Sequence, residues 1–190
     1  MIKTLLVRGA VVAILLFSTA CSTDDSISLA TEESVQRFEE AGLRDMKNDA
    51  LFAAEATSAS MLQVQLAELA STKAVSPEVK ALGRQLEQDH QRVLEDLRNM
   101  ANQSSFVLPD SLGSAHQEVY NEVYAKSGIE FDLSYIKQTV DQHEDLVKRY
   151  QDMADNAKAL EVQQFASKQL PLLRSRLQRA ETLEDRVSDI

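Results

Sequence analysis

Two of the three histidines have similar surroundings, and this is the first pattern in the sequence that could do chemistry. His90 lies in LEQDHQRVLEDLRNMA and His143 in VDQHEDLVKRYQDMA, and the residue types of the two stretches agree when the histidines are aligned. Neutral imidazole nitrogens bind transition-metal ions, and they also form hydrogen bonds inside protein cores. The pair therefore predicts either a shared metal site or a polar contact between two helices.

A carboxylate precedes only one of these histidines at a suitable spacing. Glu87 stands three residues before His90, which places both side chains on one helical face. Val140 occupies the equivalent position before His143, and Asp89 diverges from His90 because neighbouring helical residues point about 100° apart. The best metal variant is thus a single transition ion held by His90, His143 and Glu87.

A hydrogen-bonded pair without metal is the interpretation that we favour from the sequence. Buried polar groups in proteins are almost always hydrogen-bonded, and Asp89, Gln63 or Gln142 could supply the partners for the two rings. This interpretation predicts no cofactor. We expect His116 to be solvated, and the four tyrosines to pack rather than react, because no nucleophile and base stand together.

The elements that position these residues are four amphipathic helices. Apolar residues recur at spacings of three, four and seven over approximately residues 49–73, 77–102, 131–155 and 158–187. Ser76 and Pro77 predict the N-cap and first residue of the second helix, and Pro171 predicts a kink in the fourth. The helices bury their apolar faces together, so the expected fold is all-α, an antiparallel four-helix bundle.

The connection between the second and third helices has its own helical signals. Ser114 and Gln117 have the spacing of a capping box, which predicts a short extra helix ending near Gly128. Asp132 is the expected N-cap of the third long helix. The two aligned histidine stretches favour two helix pairs, first–second and third–fourth, related by a pseudo-twofold axis.

The first residues carry a secretion signal. MIKTLLVRGAVVAILLFSTAC begins with basic residues, continues with an apolar run and ends in small residues, as signal peptides do. Cys21, the sole cysteine, follows Ser18-Thr19-Ala20, which resembles the bacterial lipobox although Ser18 replaces its usual leucine. We expect Cys21 to carry a lipid, including palmitate, and Ser22 implies the outer membrane by resemblance to Gram-negative sorting. Plain signal cleavage, giving a soluble periplasmic protein, is the alternative.

These signals divide the chain into three parts. Residues 1–20 are the expected signal peptide, and residues 21–48 are a lipid-anchor tether and a leader helix. The tether covers residues 22 to about 31, which lack periodicity, and residues 49–188 form the bundle. The formal net charge of −10 argues against nucleic-acid binding and against anionic membranes, so the lipid is the expected link to the membrane. Only five glycines and three prolines favour long helices.

Several motifs occur in an order that resembles a known family. QVQLAELASTKAVSPEVKALGRQLEQDH, GIEFDLSY and FASKQLPLLRSRL are similar to motifs of a ferritin-like family of secreted bacterial proteins of unknown function, often named outer membrane proteins. The resemblance covers about residues 50–183 and implies a ferritin-like four-helix bundle but no known reaction. Gln63, Gln142 and Arg176 stand where the family commonly has Glu, Asp and His. Together with Asp89 they are the expected polar core.

The expected function is non-catalytic. The chain has no Gly-rich phosphate loop and no catalytic serine motif. We expect a lipid-anchored, periplasm-facing bundle with a binding or envelope-stress role. One alternative is a ferritin-like metal-binding or redox protein that uses His90 and His143. Another is an interaction module that docks a second envelope protein through an exposed helix face.

Overall fold

The computed structural model describes residues 25–188, which contain six helices and no strand. The all-α class is therefore confirmed for this part of the chain. The predicted signal peptide, Cys21 and the first residues of the predicted tether lie outside the described residues. The helices are α1 (Ser26–Glu40), α2 (Lys47–Lys73), α3 (Pro77–Ser104), α4 (Ser114–Tyr124), α5 (Gly128–Asn156) and α6 (Leu160–Ser188).

Four long helices, α2, α3, α5 and α6, form the body of the structure. Residues 74–76 connect α2 to α3, and residues 157–159 connect α5 to α6, so each pair is antiparallel. The two pairs meet through contacts of α2 with α5 and of α3 with α6. The extra helix, α4, lies in the predicted connection and packs on α2 and α5, while α1 packs on α2. Among residues 25–188, no helix has both the length and the apolar character of a membrane span.

Helix α2 is buried on most of its circumference. The sequence predicts one apolar stripe through Phe52, Leu62 and Leu66, and these side chains are fully buried. Small residues on the other faces are buried as well, because α1 and α4 cover them. A helix that is apolar or small all round belongs in an interior. The buried small residues are Ala50, Ala53, Ala54, Ala56, Thr57, Ser58, Ala59, Ser60, Ala67 and Ala70.

The start of α1 corrects the predicted tether. Residues 26–31 are helical, and Ala30 and Thr31 are buried. Asp25 caps this helix, since its Oδ2 accepts a hydrogen bond from the Ser28 amide at 3.2 Å. The tether prediction failed here because the apolar spacing of α1 is sparse, and its burial depends on contact with α2.

Two of the predicted caps are also corrected, whereas the Ser76 cap is confirmed. The Ser76 Oγ accepts from the amides of the next helix, Glu78 among them. The capping box is wrong, because Gly113 is the N-cap of α4 and the Gln117 amide donates to Asn121 instead. Helix α5 begins at Gly128, earlier than predicted, so Asp132 lies inside it. Helix α6 continues through Pro171.

Buried aspartates join the two helix pairs reciprocally. The Asp132 carboxylate on α5 accepts from the Val75 amide at 3.1 Å and the Ser76 amide at 2.7 Å, at the α2–α3 connection. The Asp49 carboxylate on α2 accepts from the Lys158 and Ala159 amides, at 2.9 and 2.6 Å, at the α5–α6 connection. Asp132 thus supports the start of a neighbouring helix rather than its own.

The same contacts agree with the predicted relation of the two helix pairs, but not with the histidine alignment from which it was predicted. Asp132 follows Asp49 in the chain by the same number of residues as Lys158 follows Val75. The pair α2–α3 therefore corresponds to the pair α5–α6. His90 lies on the second helix of its pair, and His143 lies on the first helix of the other. The similarity of the two histidine stretches therefore does not coincide with the correspondence of the helix pairs.

Candidate functional site: a buried polar layer

Four buried polar side chains, one from each long helix, divide the core into two apolar clusters. They are Gln63, His90, His143 and Arg176, each at most 5% exposed. One apolar cluster includes Leu86 of α3, before His90, and the other includes Val93, after it. The same division occurs at His143 on α5 and at Arg176 on α6, and on α2 the two clusters meet around Gln63. We call these four residues the polar layer.

The two imidazole rings of the polar layer contact each other directly. The Nε2 atoms of His90 and His143 lie 3.3 Å apart, and the rings meet edge to face. The Nδ1 atom of His143 lies 2.8 Å from the Thr139 carbonyl oxygen, which only accepts hydrogen bonds. His143 must therefore carry its proton on Nδ1 when neutral. Its Nε2 then accepts from the Nε2–H of His90, whose Nδ1 is buried without a partner.

Both histidines are held in the neutral form. Burial lowers the pKa of His90 well below its usual value, and the neighbouring His143 and Arg176 lower it further. Burial also lowers the pKa of His143 to about 4, against the raising effect of the Thr139 hydrogen bond. The charge of Arg176 lowers this second pKa as well, while Asp89 raises it. At neutral pH the pair is an uncharged donor and acceptor.

The charge in the polar layer belongs to Arg176. Its Nε donates to the Asp89 carboxylate at 3.2 Å, and the side chains of Arg176 and Asp89 are 6% and 21% exposed. The Arg176 Nη1 atom is buried without a partner. A buried cation with one paired carboxylate is tolerated, but it repels a second positive charge placed beside it.

The remaining predicted residues lie at different depths. Gln63 is buried, and both atoms of its amide lack a hydrogen-bond partner. Gln142 and Asp89 are only partly buried, so the predicted polar core is wrong for Gln142 and places Asp89 at its edge. None of Gln63, Asp89 and Gln142 forms a hydrogen bond to either ring; the Thr139 carbonyl is the partner of His143 Nδ1 instead. Glu87 is also partly buried, and it accepts from the Gln91 amide at 3.4 Å.

A metal ion could use two nitrogens of this site, but no third His, Cys, Asp or Glu side chain joins them in the described part of the chain. Two ligands at about 2.0 Å from a tetrahedral ion are about 3.3 Å apart, and this matches the Nε2 separation of 3.3 Å. However, within residues 25–188 no three His, Cys, Asp or Glu side chains are grouped for metal binding. The predicted set of His90, His143 and Glu87 is thus not brought together as a site.

A serine–histidine contact that the sequence did not reveal lies outside the polar layer. His116, expected to be solvated, is partly buried, and its Nδ1 lies 2.7 Å from the Ser58 Oγ. Burial lowers the pKa of His116, and the charge of Asp25 opposes this. The Ser58 oxygen also accepts from the Gly113 amide at 2.8 Å. No local sequence signal joins residues 58 and 116, because only the packing of α4 on α2 brings them together.

An apolar cavity of about 730 Å³ opens at one end of the bundle. Three large apolar side chains in its lining, Val75, Ile129 and Leu133, remain 44–68% exposed. Asp132 also contributes to the lining. The charged residues of the lining that point toward solvent are Glu78 and Arg186.

Comparisons with known proteins agree with the all-helical fold. A family model described as Domain of unknown function (DUF4142) matches residues 34–183. A solved structure titled "CopM in the Cu(II)-bound form" is similar with a TM-score of 0.61 at 18% sequence identity. The similarity covers 73% of this chain and 96% of that one, and at this identity it is a likeness of fold alone. No curated protein sequence matches the chain.

Proposed function

The chain belongs to the family described as Domain of unknown function (DUF4142), and from that premise we propose that it is a non-catalytic binding protein of the bacterial cell envelope. It is attached to the outer membrane by a lipid on Cys21 and faces the periplasm. Its body is a ferritin-like four-helix bundle. The cyclic contacts of α2, α3, α6 and α5 support this arrangement, since each long helix packs on two others.

The pairing of Arg176 with Asp89 carries the proposal that the polar layer is structural. Within this pair, the buried Arg176 places its positive charge beside two neutral imidazoles, while the more exposed Asp89 carboxylate lies at the edge of the layer. A divalent ion would be repelled by that charge, whereas a hydrogen-bonded pair of rings needs no counter-ion. Buried polar groups are costly unless they meet their partners, so such a layer favours one alignment of the four helices over shifted ones.

The Ser58–His116 contact does not argue for catalysis. Ser58 is fully buried in the middle of α2, and its oxygen already accepts the Gly113 amide hydrogen. A nucleophilic serine needs an accessible oxygen and a hole for the developing oxyanion. This contact instead holds the loop before α4 against α2.

Metal content tests the structural role of the polar layer. The protein is purified from its membrane and analysed for iron, copper, zinc and manganese. The expected metal content is below about a tenth of an equivalent. A tightly bound ion would survive purification, so a low content means that the polar layer holds no such ion. A stoichiometric metal that is lost from the His90→Leu/His143→Leu variant but retained by His116→Asn would reject the proposal.

The lipid anchor is tested at Cys21. Replacing Cys21 with Ser should leave the protein unacylated, and mass spectrometry should find diacylglycerol and fatty acid only on the parent chain. A mature parent chain that begins at Cys21 with a free amine and carries no lipid would support the soluble periplasmic alternative instead.

The apolar cavity supports the binding role. Three large apolar side chains are exposed at this one cavity, and concave, mostly apolar sites of this size are where proteins commonly bind ligands. We propose that another envelope protein inserts an apolar segment there. A photo-crosslinking residue at Ile129 should give one discrete adduct in living cells, and Leu133→Glu should remove it. An adduct pattern equal to that from Gln85, on the outer face of α3, would contradict this assignment.

A metal-binding function is the second candidate, and one distance favours it. The Nε2 separation of 3.3 Å suits two ligands of one ion, and the structural neighbour is titled in a Cu(II)-bound form. If this function holds, added copper should bind at one equivalent and His90→Leu should weaken binding strongly. Equal binding by the parent and by that variant would exclude the polar layer as its site.

A further inference from the structure

The start of the described chain is fixed to the side of the bundle. The Asp25 Oδ1 accepts from the Ser114 amide at 2.7 Å and from the Ser114 hydroxyl at 3.1 Å. The Ser26 hydroxyl donates to the Ser111 carbonyl at 2.9 Å. These bonds join the first turn of α1 to residues 111–114, the loop that precedes α4.

This loop is itself held against the middle of α2. The Gly113 amide donates to Ser58, near the centre of that helix. The start of α1 packs closely on Gly113, since a Cβ there would lie 2.5 Å from the Ile27 Cδ1 atom. The chain therefore enters the body at the flank of the bundle and not at one of its ends.

Residues 22–24 alone separate Cys21 from this fixed point. Four residue steps span at most about 14 Å when fully extended. A lipid on Cys21 lies in the membrane, so Asp25 has to lie within about 14 Å of the lipid headgroups. This limit applies to any conformation that residues 22–24 adopt.

We propose that the flank made of the start of α1, residues 111–114 and the start of α4 lies against the phospholipid headgroups. The inference rests on the proposed lipid anchor. Helices α1 and α4 pack on α2 and α5, so the outer face of α3 and α6 lies on the opposite side and points away from the membrane. Gln85 and Gln178 line a shallow cleft on that outer face.

Chain length, and not charge, sets this orientation. The side chains near the flank include the carboxylates of Asp25, Asp110 and Glu118, which anionic lipids do not attract. The contact should therefore form on neutral phosphatidylcholine. It should disappear when the connection from Cys21 is lengthened.

Single-thiol labelling tests the orientation in the full lipidated protein. Acylation uses the thiol of Cys21, the sole cysteine, so an introduced cysteine carries the sole free thiol. Ser111→Cys and Gln178→Cys are labelled with a fluorophore and reconstituted in phosphatidylcholine vesicles that contain a headgroup spin label. Quenching should be severalfold stronger at position 111, and a Gly-Ser insertion of about 12 residues between Asp24 and Asp25 should abolish the difference.

The outcomes separate this inference from the anchor on which it rests. Protein that fails to float with the vesicles overturns the anchor and the orientation together. Protein that floats but is quenched equally at positions 111 and 178 overturns the orientation alone. A difference that survives the insertion would show that the flank binds lipid by its own chemistry, and it would overturn the role of chain length.

Discussion

Acid should destabilise this protein through the buried histidine pair. The pKa of His143 is about 4 in the folded chain against an ordinary 6.5, so the unfolded chain binds the proton more tightly. Stability is then fully present above pH 6.5 and is lost as pH falls from 6.5 toward 4. The full shift is worth about 3 kcal/mol, of which about 2 kcal/mol is lost by pH 5. Burial moves the pKa of His90 in the same direction, so its contribution adds to the loss.

Urea unfolding followed by circular dichroism measures this loss. The free energy of unfolding is determined between pH 8 and pH 5 for the parent chain from Ser22 onward and for its His90→Leu/His143→Leu variant. Replacing both partners with apolar groups leaves no unpaired ring nitrogen and is expected to be nearly neutral at pH 8. Between pH 8 and pH 5 the free energy of unfolding should fall less in the variant than in the parent, and the difference should be at least about 2 kcal/mol.

Comparing the parent with the double variant cancels the contribution of the carboxylates to the pH dependence of stability, because both proteins contain the same carboxylates. His116→Asn serves as a matched control, since His116 is partly buried and lies outside the polar layer. Because burial lowers the pKa of His116 as well, this control should lose somewhat less stability than the parent on acidification, but more than the double variant. Identical pH slopes for the parent and the double variant would refute the argument that two neutral rings are buried together.

Three further substitutions test other contacts. Arg176→Met removes the positive charge beside the rings, so histidine titration by NMR should show both pKa values rising. Its cost in urea unfolding should stay below about 3 kcal/mol, because the Asp89 carboxylate left behind is partly exposed. Asp132→Asn removes an acceptor from the α2–α3 connection and should cost about 1–3 kcal/mol in the same assay. Gly83→Ala places a Cβ 2.9 Å from the Cβ of Ala70. The free energy of unfolding, measured by thermal unfolding, should fall by about 1 kcal/mol. Unchanged stability would contradict the close approach of α2 and α3.

The helices were predictable because the sequence signals that specify a helix lie within the helix itself. Apolar spacing located the four long helices within a few residues of their observed bounds, and Ser76-Pro77 located the start of α3. The short helix in the connection was also found. Burial of His90 and His143 followed from their places on apolar stripes.

The contacts between helices were not predictable, because they join distant residues. Asp132 has the sequence context of an N-cap, yet its carboxylate serves the start of another helix. His116 meets Ser58 only because α4 folds onto α2. Helix α1 lacks a clear apolar stripe, and the contact with α2 decides its burial. In each case the tertiary arrangement, and not a local pattern, chooses the partner.

The protonation of the two rings tests the central claim most directly. Nitrogen-15 NMR of the histidine rings at pH 7 distinguishes the two neutral tautomers from the charged form. We predict a proton on Nδ1 of His143 and on Nε2 of His90, with neither spectrum changed by one equivalent of zinc or copper(I). Rings that are both charged, or ring signals that shift together with one equivalent of metal, would contradict the claim that the polar layer is a neutral, metal-free contact.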